Sequence, residues 1–463
     1  MSSADEPVQL QEPLEELARD PRRFNHDLNF PPAEKIRVYD DTLRDGEQMP
    51  GVAFSPHDKY ELARELSDIG VHIMDVGFPA VGGSERETLK LVLEGKRRGE
   101  LRADLEVVCM MRSNPADIDA TFRVMDELGY PRDSVTYFIF SSASDLHVKY
   151  KLGRTLLARE GIPASEWLEL PVKFYRDANL RMMCEAIAYA KAQGAREIEF
   201  GGEDGSRADV GYIAEIHREG LKAGGTRPST PDTVGCYSPF AVSQYIPAIK
   251  AAAPDAPLVV HFHNDLGIGA WNTVVALGCG AEVFTTSVNG IGERTGNAPM
   301  HEVLLQLRYL FGIEIPGFKY RKLRDLAHTL ERLSGIPVPP TAPGIGYNVF
   351  SHESGIHTAG MLIHPAIYQF IPPSDFGEEV RYVYGKHSGA LVIEHALRSN
   401  HVPHDAELVA TVMNEVKRIR EERAESADFA AFTSAYYNHL EGMGVSEEEV
   451  VEIATALAGK PTA

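Results

Sequence analysis

Two histidines one residue apart, His261 and His263, stand in the run HFHND (261–265). If that run ends a β-strand, both imidazoles lie on one side, about 6.5 to 7 Å apart along the chain. Imidazoles so placed can share one divalent cation; the alternative is a pair of buried histidines with ordinary hydrogen bonds. Far upstream, DDTLRDGEQMPG (40–51) sets acidic, basic and glycine residues directly behind an apolar run. Its Asp45 offers a hard carboxylate, and two imidazoles with one carboxylate suit Zn, Mn, Co or Mg, with positions left for substrate oxygens. Taken alone, the same segment also fits a plain polar loop. The run NGIGERTGNAP (289–299) is glycine-dense, which permits tight turns and close backbone approach to a ligand, though connecting loops share that composition. SHESGIH (351–357) and YGKHSG (384–389) add histidines that either cap a site, in this subunit or a neighbour, or lie on a helix surface.

The elements able to present these groups recur regularly. Apolar, β-rich runs occur at 36–40, 71–77, 105–110, 134–140, 197–202, 257–263 and 282–288, with a weaker one near 226–230. Amphipathic stretches alternate with them, for example 57–70, 179–194 and 237–253. Eight strand–helix units in this order predict an α/β fold of the (β/α)8 TIM-barrel class over residues 36–311. A doubly wound open sheet is the second choice, but no GxGxxG opens a helix after the first strand. In such a barrel, chemistry sits at the C-terminal ends of the strands, and that is where the unusual residues fall. Residues 1–35 form an N-terminal extension. The proline-rich run IPVPPTAPGIG (336–346) marks a boundary inside 312–463, a linker and mostly helical C-terminal region. Within it, 404–440 reads as helices with charged faces, and SEEEVVEIATALAG (446–459) begins with a Ser-led, acid-rich cap.

Composition narrows the function. The chain has 463 residues, 43% of them apolar, enough for one large barrel and more. A net charge of −21 argues against nucleic acid, which needs clustered Lys and Arg. The few cationic groups must then gather wherever an anionic substrate binds. No stretch reads as a membrane span, and the polar, acidic N-terminus lacks a signal-peptide core, so a cytoplasmic enzyme is expected. The four cysteines are widely spaced without a CxxC pair, which disfavours disulfides and a thiolate zinc site.

The ordered motifs DDTLRDGEQ, DVGFP, SASDLHVKYKL, EFGGED, PDTVG, HFHNDLG, NGIGERTGN, SGIH and GKHSG span residues 38–389. On these the sequence resembles the isopropylmalate, homocitrate and citramalate synthase family of DRE-TIM acyltransferases. The resemblance implies a metal-dependent Claisen-type condensation of acetyl-CoA, the co-substrate, with a 2-oxo acid, giving a substituted malate and free CoA. It implies Asp45, His261, His263 and Asn297 as ligands of a divalent metal (Mn, Mg, Co or Zn), with Asn289 a weaker candidate. Arg44 would stabilise charge on the ketone oxygen, Thr233 would donate to the C1 carboxylate, and Glu203 would stand near the acetyl group. His357 matches the family's general base, which arrives from the other subunit of a homodimer. Glu47, Gln48, His147 and Arg112 match further pocket positions.

Three departures bear on the substrate. Homocitrate synthases carry Arg-Phe-Ser where this chain has Glu199, Phe200 and Gly201, which counts against 2-oxoglutarate. The glutamate of the family's ExGFP element is Asp75 here. The chain ends too soon for a leucine-sensing regulatory domain, so feedback by that route is not expected. The long N-terminal lead, the GGED variant and the helical tail look more like Re-type citrate synthases or phosphonomethylmalate and phosphinomethylmalate synthases. Their acceptors, oxaloacetate and phosphonopyruvate-like acids, carry a second anion at C3. Arg112 or the backbone amides of Gly201 and Gly202 are the groups to receive it, and the phosphonate branch is preferred. Homocitrate or isopropylmalate synthesis is the alternative. A carbon–carbon lyase of the hydroxymethylglutaryl-CoA type would carry a cysteine in the loop at 289–299, which this chain lacks. A non-catalytic barrel would have lost part of the metal set.

Overall fold

The computed structural model describes residues 9–18, 20–25 and 28–458. All eight strand candidates are strands: β1 (Arg37–Asp40), β2 (Ile73–Asp75), β3 (Glu106–Arg112), β4 (Thr136–Ser142), β5 (Ile198–Glu203), β6 (Arg227–Asp232), β7 (Val259–Phe262) and β8 (Val283–Thr286). They pair in parallel in chain order, and β8 pairs with β1 from Arg37↔Val283 to Asp40↔Thr286, closing the barrel. β6 is the faint one in sequence because Pro228 and Pro231 each remove a backbone donor. It holds its place through the registers Gly201↔Ser229 and Ser229↔Val259.

At least one helix follows each of the eight strands, and the first, Pro56–Ile69, shows how local chemistry sets them. Ser55 and Asp58 form a reciprocal capping box, Pro56 fills the first turn, and Gly70 ends the helix at φ 112°. Its buried stripe is Lys59, Leu62, Ala63, Leu66 and Ile69, at helical spacing. Inside the barrel, Tyr39, Ile73, Val108, Val259 and Val283 pack into one cluster with Phe138 against them. These positions fall two residues before Asp41, Asp75, Met110, His261 and Thr285 on their strands. Period-two alternation therefore brings four polar side chains, with Met110, into the next inward layer.

The described residues form two compact units: Asn25–Lys319 with Asp325–Pro337, and those up to Phe24 with Tyr320–Arg324 and Val338 onward. The first is the barrel. The second contains a short parallel pair, β9 (Ser351–His352) and β10 (Arg381–Tyr382), followed by helices Ala390–Ser399, Ala406–Ser426, Phe429–Glu441 and Glu447–Ala458. The last begins as its sequence indicates: Ser446 N–H donates to Glu449 and Glu449 N–H donates back to Ser446 Oγ. Among the described residues no helix is long and apolar enough to cross a membrane.

Candidate metal centre and active site

The loop after β1 is drawn tight by its own acids. Asp40 accepts from the Thr42 amide and hydroxyl at 3.0 and 2.8 Å, and the Asp41 carbonyl accepts from the amides of residues 44, 45 and 46. Thr42 Oγ1 in turn accepts from Val288 N–H at 2.8 Å, tying this loop to the one after β8. That second loop folds back on β7: Ala298 N–H bonds the Phe262 carbonyl, Asn264 N–H bonds the Gly296 carbonyl, and Asn297 bridges His263. Gly296 lies at φ +88°, and a Cβ there would overlap the Gly290 carbonyl oxygen, so only glycine allows this return.

Three strand ends thereby deliver four donors to one point. His261 Nε2 stands 3.2 Å from His263 Nε2 and 3.5 Å from Asp45 Oδ2, and His263 Nε2 stands 3.9 Å from the same oxygen. Asn297 Nδ2 donates to Asp45 Oδ2 at 2.7 Å, while Asn297 Oδ1 is buried without a partner. His261 Nδ1 faces Thr285 Oγ1 at 2.8 Å and Asp41 Oδ2 at 3.2 Å, which places its proton there and leaves Nε2 as a lone-pair donor. Ligands about 2.1 Å from a shared cation stand about 3.0–3.4 Å from one another, the spacing of these two nitrogens. The residues present thus fit a divalent ion, and Asp45, His261 and His263 form a buried group able to hold one.

The charge states of Asp45 and His263 agree with that fit, while His261 would have to give up a proton that the neighbouring carboxylates favour. Burial alone would raise the Asp45 carboxyl, but Arg44, His261 and His263 hold it at about 2. Burial and the neighbouring His261 push His263 down to about 4, keeping its ring neutral. For His261, burial opposes the charged ring, yet the hydrogen bond and charge of Asp41, with Asp45, outweigh it and hold the ring above its usual value.

Beside these donors lies a cavity of about 440 Å³, room for a small acid and the reacting end of a thioester. Arg44, Gln48, Glu203 and Thr233 all line it. Arg44 Nε donates to Asp75 at 2.7 Å and an η nitrogen stands 3.0 Å from Asp45. Burial pushes Asp75 up to about 6, with Arg44 opposing. Thr233 Oγ1 accepts from the Asp204 amide at 2.8 Å, so its own proton is available. Asp204 adopts a left-handed φ of 67°, a conformation aspartate tolerates, and it takes a bidentate pair from Arg207. Glu203 pairs with Lys151.

The remaining sequence candidates lie elsewhere. Arg112 ends β3 exposed and bidentate on Asp117, outside the cavity lining. His147 stands 3.6 Å from Asp204 and 3.9 Å from Glu203, behind the lining. Burial lowers its pKa, against the pull of those acids. Glu47 faces Lys59 at 2.6 Å and accepts from Phe54 N–H, a structural post in the first loop. Asn289 donates to the Ala327 carbonyl. His357 belongs to the second unit, on helix Gly355–Ile363, exposed and stacked on Tyr368 at 4.2 Å. There the SGIH and GKHSG motifs meet: Gly355 N–H bonds the His387 carbonyl, and Gly355 and Gly389 approach too closely for side chains.

Sequence reasoning passed over Asp41, Thr285, Lys151 and Tyr39. Asp41 and Lys151 lie inside DDTLRDGEQ and SASDLHVKYKL. Thr285 is legible only once β8 is known to neighbour β7, because it is His261 that gives it a role. Tyr39 looked like one more apolar strand residue.

A closed parallel barrel with an Asp–His–His–Asn cluster at the C-terminal ends of its strands defines a TIM-barrel enzyme with a candidate divalent-metal site. The chain belongs to the HMGL-like family, whose model it matches over residues 35–330, and residues 345–424 match the homocitrate synthase post-HMGL domain-like family. It is 37% identical over 397 residues to a "Probable 2-isopropylmalate synthase" of Ignicoccus hospitalis, covering 86% of this chain and 90% of that one. It is 35% identical over 396 residues to homocitrate synthase AksA of Methanopyrus kandleri, covering 85% and 90%. A crystal structure of hydroxymethylglutaryl-CoA lyase from Pseudomonas aeruginosa shares the fold with a TM-score of 0.50 at 20% identity, over 68% of this chain and 96% of that one. The chain is thus an enzyme of the acyltransferase type to which these synthases belong.

Proposed function

We propose that the protein condenses the methyl carbon of acetyl-CoA with the ketone of a short 2-oxo acid bearing a second acidic group, phosphonopyruvate-like or oxaloacetate, after which water cleaves the thioester and releases CoA. The observation that carries this reading is the meeting of Arg44, Thr233 and Glu203 with Asp45, His261 and His263 at one cavity, with Asn297 bonded to Asp45 behind them. Asp45, His261, His263 and Asn297 would hold a divalent ion, which would supply Lewis acidity toward the 2-oxo acid.

This chain's own groups do the rest. Arg44, fixed between Asp75 and Asp45, presents positive charge to the ketone oxygen as it becomes an alkoxide. Thr233 donates its hydroxyl proton to the acid's carboxylate. Glu203 and Lys151 flank the acetyl end. The thioester's methyl group is a weak acid and needs a placed base, a role the family resemblance assigns to His357 acting across a homodimer.

The names of the relatives favour a second reading, with 2-oxoisovalerate or 2-oxoglutarate as acceptor. Glu199 stands where homocitrate synthases carry the Arg of Arg-Phe-Ser, so the cation that helps hold the distal carboxylate of 2-oxoglutarate is missing from this wall. The test is CoA release, followed with a thiol reagent, from acetyl-CoA and Mn or Mg against phosphonopyruvate, oxaloacetate, 2-oxoglutarate, 2-oxoisovalerate and pyruvate. Fastest turnover of phosphonopyruvate or oxaloacetate is expected. Preference for 2-oxoisovalerate or 2-oxoglutarate would establish the second reading, and no release from any acid would overturn condensation itself.

A further inference from the structure

The deep end of the cavity has no role in the chemistry above. There Tyr39 of β1 lines it together with Phe138, Glu199, Gly201 and Ser229. Tyr39 is only 1% exposed, and its hydroxyl has no hydrogen-bond partner. A buried hydroxyl left unpaired inside a well-packed barrel is disfavoured and requires a reason.

The surroundings make this hydroxyl a fixed donor. Its ring packs in the cluster of Ile73, Val108, Val259 and Val283 and has little freedom to swing. Burial, then the charges of Glu199 and Asp75, push its pKa well up, so it keeps its proton. Glu199 turns its Oε2 to Arg227 at 3.0 and 2.9 Å, and no hydrogen bond joins it to the Tyr39 hydroxyl. The facing wall is bare backbone: a side chain at Gly201 would overlap the Ser229 carbonyl oxygen. One inward spacing, about 6.5 to 7 Å along the strand, separates Tyr39 from Asp41 and Val259 from His261. An acid held at the level of His261 therefore needs only a short side chain to reach the level of Tyr39.

We propose that the Tyr39 hydroxyl selects the acceptor acid, donating a hydrogen bond to a terminal oxygen of a short 2-oxo acid side chain and disfavouring purely alkyl ones. The proposal rests on the condensation reading and adds a specificity-determining residue to it. Its logic is that a pocket built around a polar partner rejects an analogue that leaves the partner unpaired.

The test compares the wild type with Tyr39→Phe. Two quantities are read for phosphonopyruvate and oxaloacetate against 2-oxobutyrate and 2-oxoisovalerate. One is kcat/KM from CoA release, and the other is Kd from calorimetry on metal-loaded enzyme without acetyl-CoA. The wild type is expected to prefer the polar acids, and Tyr39→Phe to shrink that preference about 10-fold or more, chiefly through KM and Kd, as for one lost hydrogen bond to a charged group. The ligand-free variant should melt no lower than the wild type, since the hydroxyl has no protein partner to lose. A wild-type preference for the alkyl acids, a preference changed less than about 2-fold, or a melting point lowered by several degrees would overturn the assignment. If no acid releases CoA, the condensation reading fails while the Kd ratios still decide the role of Tyr39.

Discussion

Lys59 is a fully buried cation on the apolar stripe of helix Pro56–Ile69, and its removal offers a quantitative check on how the active-site loops are held. Its Nζ stands 2.6 Å from Glu47 and 2.5 Å from Glu85. Glu47 also accepts from Phe54 N–H in the loop carrying Arg44 and Asp45, and Glu85 accepts from Phe78 N–H in the loop after β2. Lys59→Met keeps the length and apolar stem but leaves two carboxylates facing each other with no cation. Breaking a buried pair costs about 3–5 kcal/mol, and the side-chain exposures of 23% for Glu47 and 14% for Glu85 favour the lower end. At about 2 °C per kcal/mol for a large domain, the melting temperature should fall by about 6 °C. Differential scanning calorimetry reads this directly. The triple variant Lys59→Met, Glu47→Gln, Glu85→Gln, which neutralises the set, should recover at least half the loss. A single-variant drop below about 2 °C, or a triple variant as unstable as the single, would refute the reading of this triad.

Two further outcomes follow from the site. His263→Ala should weaken Mn binding by about 100-fold or more in calorimetry, and Thr285→Val, which strips His261 of its orienting partner, by about 10- to 100-fold; unchanged affinity in both would remove the metal assignment. Burial raises the Glu199 carboxyl from 4.5 to about 7 against the pull of Arg227, so the folded state holds a proton there that the unfolded chain releases earlier. Stability should therefore fall as pH rises from about 4.5 to about 7, and Glu199→Gln should flatten that slope in urea titrations; a slope identical to wild type would show that Glu199 is not the proton holder.

The barrel was legible because most of its strands are short, predominantly apolar runs buried along nearly their whole length, such as VVHF and EVVCMMR, as expected of a parallel sheet. β6 was faint for a stated cause, its two prolines. The metal cluster was legible through His-x-His, where strand period alone puts two rings on one side. What the sequence hid depends on neighbours distant in the chain. Arg112 is commonplace as a cation near a strand end, and only the fold reveals that Asp117, five residues on, accepts from its Nε and one η nitrogen. Lys59 was visible in principle, as a charge at a core position of a helical stripe. Tyr39 was not, since nothing in a strand reading distinguishes a tyrosine whose hydroxyl is paired from one whose hydroxyl is not.

The closure of the barrel between its first and last strands has a consequence for how the protein comes to be folded. Asp45 follows β1, whereas His261, His263 and Asn297 come from β7 and the loop after β8, and the Asn297–Asp45 hydrogen bond spans 252 residues. No segment made early can assemble the four donors. They meet only when the seam between β1 and β8 has zipped, which makes this among the longest-range events of the pathway and a slow one. An ion that binds only the completed cluster acts as a clasp on that seam. It stabilises the closed ring by mass action, in proportion to the logarithm of its free concentration over its Kd. For an ion bound at this cluster, its supply would set the stability of the closed barrel as well as the charge at the active site.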